Sequence, residues 1–593
     1  FNSADSAYLS RTPSGTSGGR SKFTYSAWIK ISATSTTNGF QLLTAPHASN
    51  LNGSLLQINS DDEFYAQFRD YSTGSQGAFD AECYSDIKFK DTSSWYHIVF
   101  AYDSTETTAS DRMKLWVNGV SQSFRSSDTP DASAVQYIGS NNTHYIGRWL
   151  GSSHGDTDGY MTEIHFVDGA AYDADDFGNF DANGIWIPKT VTAVTDYGSN
   201  GFYLDFSDDT STTTLGEDQE GSNDWTLNNF ATTDQVDDSP TDNHMVLNPT
   251  YQRGTNTFSE GSLKVVLAST ARNAATSHLL PRTGKHYFEY ELDATTGGAT
   301  NVGLVDATID SGTSLDTYAD NNSFSYYASS GQMYVSGTLE TYGASYTAGD
   351  VIGVAIDFDA KTIQFYKNNT GQGVFDYGSR FPDVENWRII ASNATGTGTQ
   401  TFIFDFGQKG FTYTEPTGYT AISENNITVD DQNLELADWV WIKSRTSANK
   451  NKLFDSLRGV QKIITTDADT NPAEADDQNA LLDFNTNGFT VGSNDAVNKS
   501  GDDMIAWCWK AGGAPTVDNS AAAGAVPTAG SVKIDGANST SALAGTIAAT
   551  RLTANTTAGF SIVNYDSTTS GTIAHGLSQA PEIIFEKKRG STG

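Results

Sequence analysis

Residues 23–30 read Phe-Thr-Tyr-Ser-Ala-Trp-Ile-Lys, and the class of the fold follows from this order. Aromatic and apolar residues alternate with small or polar ones, and a strand has a period of two residues. The pattern therefore predicts a strand that buries one face of a sheet. Short aromatic and β-branched runs of this kind recur along the chain between clusters of Gly, Asn, Asp, Ser and Thr. Their spacing predicts an all-β protein made of serial antiparallel β sandwiches.

The excess of acidic over basic residues limits the kinds of molecule that the protein can bind. The 593 residues include 35 Lys and Arg against 71 Asp and Glu, a formal net charge of −36, although only 18% of residues are charged. Such a surface repels phosphate backbones and anionic membranes, so we expect no nucleic-acid partner. No run approaches the ~18 apolar residues of a membrane span, so we expect no membrane insertion. Aromatic residues make up 12% of the chain, which excludes a disordered acidic protein.

Four further blocks continue the pattern of residues 23–30 toward the carboxyl end, at residues 95–99, 114–119, 145–148 and 158–164. Together the five blocks resemble the laminin-G-like, concanavalin-type jelly roll. Within them, Asn118-Gly119 predicts a tight hairpin turn, because both central residues of such a turn need a positive φ. The resemblance implies a lectin-like fold and leaves the ligand open.

A second set of blocks lies at residues 283–290, 349–358, 362–368 and 402–407. These blocks resemble the SPRY domain, a binding sandwich, so the resemblance implies recognition rather than catalysis. The last hairpin of that family usually carries Asn-Gly, whereas residues 368–371 here read Asn-Asn-Thr-Gly. This difference predicts a longer turn.

A third set of blocks, at residues 439–445, 453–459, 488–489 and 506–510, resembles a Trp-Ile-Lys module of bacteriophage structural proteins, especially of marine and freshwater phages. Residues 238–243 look like a connector from the same proteins.

We predict six segments from these resemblances and from composition. They are a concanavalin-type jelly roll (1–184), a partly β connector (185–241), a SPRY-like sandwich (242–426), the smaller phage-type β module (430–513), an Ala/Gly/Ser/Thr-rich linker (514–558) and the start of a second, incomplete β module (559–593).

Two groups of residues are candidates for glycan binding, since aromatic faces stack on sugar rings. The first is a rim of Trp149, His154 and Tyr160; the second comprises Tyr318, Asn321, Tyr326 and Tyr327. Tyr326 and Tyr327 are adjacent on a predicted strand, so one of them must face outward. The alternative for each aromatic is an ordinary place in the core.

Asp156, Asp158 and Glu163 form the best candidate calcium site, because Ca²⁺ takes six to eight oxygen ligands. The laminin-G-like resemblance implies that a rim loop can hold such an ion, and the alternative is a solvated acidic turn. We expect no other cofactor.

The sequence favours a binding protein over an enzyme. A glycosidase needs two carboxyl groups about 5–10 Å apart, but Asp61-Asp62-Glu63 runs consecutively and points to both faces of a strand. Residues 151–155 match a G-x-S-x-G motif but lie in a polar loop, without the strand and helix that a nucleophile elbow requires. Cys83 and Cys508 lie in different modules, so we expect two small buried residues and no disulfide.

The order of the resemblances implies a bacteriophage virion protein, a tail fibre, spike or surface-fibre subunit that attaches the particle to a glycan or outer-membrane protein of the host. We then expect a homo-oligomer, a trimer by analogy, that contacts other virion proteins on the outside of the particle. Two alternatives remain: a purely architectural capsid or tail decoration protein, and a secreted bacterial adhesin.

Overall fold

The fold is that of a computed structural model, which describes the chain apart from residues 18, 34–38, 48–52, 70–78, 151–154, 182–183, 269–272, 298–299, 310–314, 316–321, 394–397, 428–436, 467–473, 486–487, 569 and 590–593. The described residues form mainly antiparallel sheets, which confirms the predicted all-β class. The chain divides into two units, Phe1–Thr428 and Val429–Gly593.

The first unit begins with a jelly roll. Its strands are β1 (Tyr8–Arg11), β2 (Lys22–Ile31), β3 (Phe40–Pro46), β4 (Gly53–Ile58), β5 (Glu63–Arg69), β6 (Phe79–Lys88), β7 (Tyr96–Asp103), β8 (Met113–Val117), β9 (Val120–Gln122), β10 (Phe124–Asp128), β11 (His144–Ile146), β12 (Arg148–Trp149), β13 (Gly155–Asp156), β14 (Gly159–Asp168), β15 (Gly178–Phe180), β16 (Trp186–Pro188), β17 (Phe202–Leu204) and β18 (Thr226–Asn228). Short 3-10 turns lie at Ala109–Asp111, Ala174–Asp176, Thr214–Gly216 and Thr232–Asp234.

Two sheets enclose the core of this jelly roll. Their strand orders are β10-β6-β5-β4-β3-β11-β1-β18 and β17-β14-β2-β7-β8-β9, with the hairpins β12-β13 and β15-β16 outside them. Strands β16, β17 and β18 come from the predicted connector, and β17 and β18 pair with β14 and β1 of the jelly roll. The jelly roll therefore extends into residues 185–241.

Strand β2 is buried on both faces, whereas its alternation predicts one buried face. Phe23, Tyr25 and Ile29 point into the core between the sheets. Trp28 lies on the opposite face in a second apolar cluster, to which residues between 170 and 197 contribute. The chain that follows β14 thus covers the face that the sequence pattern assigns to solvent.

His97 lies at the centre of this second cluster. Its ring stacks on Trp28 at 4.8 Å between centroids, and its Nδ1 accepts a hydrogen bond from Trp186 Nε1 at 2.9 Å. An indole N–H only donates, so the proton of the neutral imidazole is on Nε2, which donates to Ser26 Oγ at 2.8 Å. Burial, with a smaller effect of His165, lowers the pKa of His97 to about 3.

The turn at Asn118-Gly119 is as predicted. The two residues have φ values of 48° and 76°, and Val117 pairs with Val120 across the turn. These values belong to the two-residue turn whose twist matches that of the flanking strands.

The rest of the first unit is a second sandwich. Its strands are β19 (Leu247–Arg253), β20 (Asn256–Ser259), β21 (Lys264–Leu267), β22 (Asn273–Ser277), β23 (Lys285–Thr295), β24 (Thr300–Asp306), β25 (Ser323–Tyr327), β26 (Met333–Val335), β27 (Thr338–Glu340), β28 (Val351–Asp357), β29 (Thr362–Lys367), β30 (Thr370–Asp376), β31 (Trp387–Asn393), β32 (Gln400–Asp405) and β33 (Thr420–Ala421), followed by a 3-10 turn at Glu424–Asn426. The sheets run β19-β22-β31-β24-β25-β26-β27 and β20-β21-β32-β23-β28-β29-β30, with β33 paired to β23.

The predicted longer turn after β29 is wrong. Lys367 pairs directly with Thr370, and Asn368 and Asn369 have φ values of 43° and 64°. Asparagine tolerates the left-handed region, so Asn-Asn closes the same two-residue turn that Asn-Gly closes elsewhere.

The two sandwiches meet at a buried ion pair. Lys30 Nζ, at the end of β2, donates to Asp238 Oδ2 and to Asn243 Oδ1, both at 2.7 Å, and to the carbonyl of His244 at 2.8 Å. The other oxygen of Asp238 accepts from Trp95 Nε1 at 2.9 Å. Burial lowers the pKa of Lys30, and Asp238 opposes this shift. All three Nζ donors and both carboxylate oxygens therefore have partners inside the protein.

A second group of hydrogen bonds lies beside this pair. Ser262 Oγ donates to the Ser32 carbonyl at 2.7 Å, and the Gly261 amide donates to Asp158 Oδ1 at 3.0 Å. Tyr160 donates its hydroxyl proton to the Gly261 carbonyl at 3.0 Å. The loop between β20 and β21 is thus bonded to β14 and to the end of β2.

The second unit contains one short helix, α1 (Asp495–Asn498), among its described residues. Its strands are β34 (Trp439–Ser444), β35 (Lys452–Asp455), β36 (Lys462–Thr465), β37 (Glu474–Asp476), β38 (Leu481–Asn485), β39 (Gly488–Val491), β40 (Met504–Trp509), β41 (Val532–Ile534), β42 (Ala537–Asn538), β43 (Ala549–Asn555) and β44 (Phe560–Tyr565). They form a five-stranded sheet β37-β36-β35-β34-β40, a hairpin β38-β39 and a four-stranded sheet β42-β41-β43-β44.

The four-stranded sheet corrects two predictions. Strands β41, β42 and β43 lie inside residues 514–558, the predicted linker. Val532, Leu552 and Ala554 are buried in a small core of their own, so the few apolar residues of this Ala- and Thr-rich stretch suffice for strands. Strand β44 pairs with β43, so the boundary predicted at residue 559 divides a hairpin.

Within the described residues, no helix is long and apolar enough to cross a membrane.

We predict that Lys30→Met destabilises the first unit by about 3–5 kcal/mol, because the buried Asp238 carboxylate would lose its counter-charge. Lys88→Met is the matched control: Lys88 is 47% exposed and lies 3.5 Å from Glu63, and such a surface pair contributes at most about 1 kcal/mol. Calorimetric unfolding measures both. Lys30→Met/Asp238→Asn should lose less stability than Lys30→Met alone, since no buried charge remains. Equal losses for Lys30→Met and Lys88→Met would contradict this prediction.

We predict that the first unit loses stability as the pH falls below about 6.5. The unfolded chain protonates His97 near its ordinary value of 6.5, whereas the folded protein keeps it neutral down to about 3. The contribution of His97 to the free energy of unfolding is therefore fully present above that ordinary value. As the pH falls below it, the contribution decreases by up to about 1.4 kcal/mol per pH unit. Calorimetry between about pH 7 and about pH 4 should show a shallower dependence for His97→Gln. His575→Gln, in the second unit, should leave the slope of the first unit unchanged; an unchanged slope in His97→Gln would refute the assignment.

Candidate binding face

The structure describes two residues of the predicted jelly-roll rim. Trp149 is half-buried at the end of β12, whose partner is β13. Tyr160 lies in the junction between the two sandwiches, where its ring is 6.2 Å from Trp95 and its hydroxyl is bonded to Gly261. His154 lies outside the described residues. Tyr160 is therefore a structural residue of the junction between the sandwiches.

The three predicted calcium ligands have separate protein partners. Both oxygens of Asp156 accept from Arg148, at 2.5 and 3.0 Å. Asp158 accepts from Ser32 Oγ and the Gly261 amide, and burial raises its pKa. Glu163 accepts from the hydroxyl of Tyr203 at 2.8 Å. In the described part of the chain no group of three His, Cys, Asp or Glu residues could hold a metal ion.

The two described residues of the second predicted site lie on opposite faces of β25. Tyr326 is 0% exposed and donates its hydroxyl proton to the Ala344 carbonyl, so it belongs to the core of the second sandwich. Tyr327 is the outward member of the pair, half-buried with its ring 5.3 Å from Tyr334. Tyr318 and Asn321 lie outside the described residues.

An exposed aromatic surface lies instead on the five-stranded sheet of the second unit. Trp439 and Trp441 of β34 are register partners of Trp509 and Trp507 of β40. Residues directly opposite each other in a sheet share a face, so all four indoles lie on one side. We call these four residues the Trp face.

The rings of the Trp face form a continuous surface. Ring centroids are 4.8 Å apart between Trp439 and Trp509, 5.6 Å between Trp441 and Trp507, and 6.1 Å between Trp439 and Trp441. Phe560 of β44 stacks on Trp439 at 5.5 Å, which covers that end of the surface. Trp507 and Trp509 remain 41% and 37% exposed.

The alternation of β34 explains why these indoles face outward. Val440 and Ile442 point into a small core with Phe454 and Val497 on the other side of the sheet. The tryptophans occupy the intervening positions, where Phe560 of the four-stranded sheet stacks on Trp439 and Trp509, while Trp507 and Trp509 stay exposed. A sandwich core on both sides would have buried them.

Polar groups lie at the margin of the Trp face. Trp441 Nε1 donates to Asn451 Oδ1 at 2.8 Å, and Lys443 follows Trp441 on the same face of β34. Asp438, just before β34, is buried and accepts from the amides of Ala511 and Gly513 at 2.8 and 3.1 Å. This carboxylate ties the chain beyond Trp509 to the start of β34 and so holds the two Trp-bearing strands together.

Sequence reasoning missed the Trp face, although a signal for it exists. The segments Trp-Val-Trp at 439–441 and Trp-Cys-Trp at 507–509 each place two indoles on one side of a strand. Only the pairing of β34 with β40 brings both segments to the same side. The prediction that Cys508 is buried is wrong: it is exposed on the edge strand, whereas Cys83 is buried as expected.

Comparisons with known families agree with two of the resemblances. A profile described as the Concanavalin A-like lectin/glucanases superfamily matches residues 3–175, and the SPRY domain profile matches residues 285–383. A domain of unknown function, DUF7483, matches residues 412–536 and again residues 531–593. The third resemblance, to bacteriophage structural proteins, stays a prediction.

Among solved structures, the SPRY domain of human HERC1 is 18% identical and aligns over 27% of this chain and 96% of that chain, with a TM-score of 0.24. A human SPRY domain is 17% identical over 28% and 96% of the two chains, with a TM-score of 0.20. Stonustoxin is 14% identical, and only 28% of its chain is covered, with a TM-score of 0.23. These likenesses carry no functional argument, and no curated protein matches the chain.

The chain thus combines a concanavalin-like and a SPRY domain with a second, β-rich unit in which two of the four tryptophans of the Trp face are exposed. The two domains together suggest a carbohydrate- or protein-binding, adhesin-like role.

Proposed function

We propose that this chain is a structural subunit of a bacteriophage virion, a tail fibre, spike or surface fibre, and that it attaches the particle to the host surface. The observation that carries the proposal is the Trp face, where Trp507 and Trp509 are 41% and 37% exposed on a protein that also carries two binding-type domains. Contiguous exposed aromatic surface marks an interaction site, because leaving it in water is unfavourable.

A host glycan is the ligand that suits the Trp face best. Indole rings offer flat apolar surfaces for the C–H faces of sugar rings, and an indole N–H or a neighbouring amide provides polar contacts. Trp441 Nε1 and Asn451 form such a polar pair at the margin. An outer-membrane protein is the alternative ligand on the same surface.

Attachment through such a face is weak per copy and gains strength from repetition. A few stacked rings contribute modest affinity, whereas linked copies on one particle raise the overall avidity by orders of magnitude without new contacts. The proposed protein therefore acts as a homo-oligomer on the outside of the particle, in contact with other virion proteins.

The proposed activity is binding without catalysis or a required cofactor. The acidic residues that stand out in the jelly-roll sequence are engaged in ion pairs: Asp62 with Lys90 at 2.7 Å and Glu63 with Arg125 at 2.8 Å. A carboxylate held in this way is a poor proton donor to a glycosidic oxygen.

We predict that Trp441→Ala/Trp507→Ala weakens binding of the purified chain to host cells by at least about tenfold, equivalent to ~1.4 kcal/mol, through loss of the stacking surface. Phe180→Ala is the matched control, because Phe180 is equally an exposed aromatic, 53% exposed, but lies in the first unit. Cell pull-down with labelled protein, followed by competition with host surface glycans, measures the effect.

Absence of binding by the unaltered chain at any concentration would overturn the proposed attachment. Stoichiometric recovery with capsid or tail and no interaction with cells would instead support the architectural alternative. If Trp441→Ala/Trp507→Ala and Phe180→Ala bound host cells equally well, the attachment site would lie outside the Trp face.

A further inference from the structure

Strand β40 is the outer strand of the five-stranded sheet, next to β34. Residues Ala506, Trp507, Cys508 and Trp509 are all exposed, so this strand is open on both faces as well as at its edge. Among the described residues, no strand pairs with its outer edge. An open edge presents unpaired N–H and C=O groups that can accept another strand.

The register with β34 identifies which backbone groups point outward. The Arg445 amide donates to the Asp503 carbonyl at 2.7 Å, next to the pair Ser444↔Met504. Bonded and non-bonded pairs alternate in an antiparallel ladder, so Ile505, Trp507 and Trp509 bond to β34. The N–H and C=O groups of Met504, Ala506 and Cys508 therefore point to the open edge.

The composition of β40 lacks the features that protect an edge. Its six residues, Met-Ile-Ala-Trp-Cys-Trp, include no charge, no Pro and no Gly, and its pairing with β34 has no bulge. The opposite edge of the same sheet, β37, reads Glu-Ala-Asp and carries two acidic side chains. Charges, prolines and bulges are the usual means of preventing strand addition, and only one of the two edges has them.

We infer that β40 pairs antiparallel with β40 of a second copy of this chain. Asp502 lies two residues before the strand and Lys510 just after it. Because the backbone groups of the even-numbered residues of β40 point outward, antiparallel pairing centred on Ala506 places Lys510 of one copy opposite Asp502 of the other at both ends. Parallel pairing would place like charges together, and a foreign strand would need this charge pattern by chance.

The pairing joins two sheets into one. A two-fold axis normal to the sheet keeps the faces of both copies on the same side, so Trp507 and Trp509 of each copy become neighbours across the axis. The two Trp faces then form one surface, twice as long. The pairing itself follows from the open edge of β40. Only the ligand of the longer surface, a host glycan or protein, rests on the proposed function.

The natural cysteines provide the test. Cys508 is exposed in the paired strand and Cys83 is buried in the jelly roll, so only Cys508 can react with a bifunctional maleimide, whose spacer must span about 14 Å, the length of four strand residues. The chain should have twice its 63.6 kDa mass by light scattering and should cross-link to a dimer. Cys508→Ser should abolish cross-linking, and Cys83→Ser should not.

Ala506→Pro is the blocking variant, because it removes an N–H that points to the open edge and spares the ladder with β34. We expect this variant to be monomeric with an unchanged unfolding transition of the second unit. A chain that is monomeric at all concentrations, a trimer, or a dimer without cross-linking through Cys508 would each overturn the pairing. These measurements need no host cell, so a failure of host attachment does not affect them.

Discussion

The first unit depends on the buried ion pair between Lys30 and Asp238. Two charges removed from water are costly unless every hydrogen-bonding position is filled, and here they are filled by Asn243, the His244 carbonyl and Trp95. The pair can form only when the chain after the jelly roll returns to the end of β2. It therefore specifies how the second sandwich begins, and separate hydrogen bonds of Gly261 and Ser262 hold the loop between β20 and β21 against β14 and the end of β2.

The contacts at this junction determine which of the residues around it are buried and which reach solvent. Tyr160 and Asp158, which a sequence pattern assigns to a loop rim, are bonded to Gly261 of the second sandwich. Their side chains form hydrogen bonds with the amide and carbonyl of Gly261. These backbone groups would otherwise be buried without partners. A surface that looks like a lectin rim in one domain becomes an internal contact once the next domain is present.

The five-stranded sheet of the second unit follows a different principle, because its core is small and lies on one side of the sheet. Val440 and Ile442 are buried beneath β34, while the alternate positions carry Trp439 and Trp441 with only partial cover. The edge strand β40 exposes two further indoles without charged residues of its own. Apolar surface that a monomer leaves in water is best explained by contacts that the protein makes with other molecules.

The all-β class, the tight turn at Asn118-Gly119 and the alternation of β2 are readable from residues 23–30 and 118–119, because strand period and turn conformation are local properties of the backbone. Burial is not local. Tyr326 and Tyr327 are indistinguishable by type, yet only packing between two sheets places Tyr326 in the core. The Trp face likewise needs strands 60 residues or more apart in sequence to pair in one register, and the exposure of Cys508 needs β40 to be the outermost strand. Tertiary structure decided these features because the side of a strand that faces water depends on which distant segments cover it.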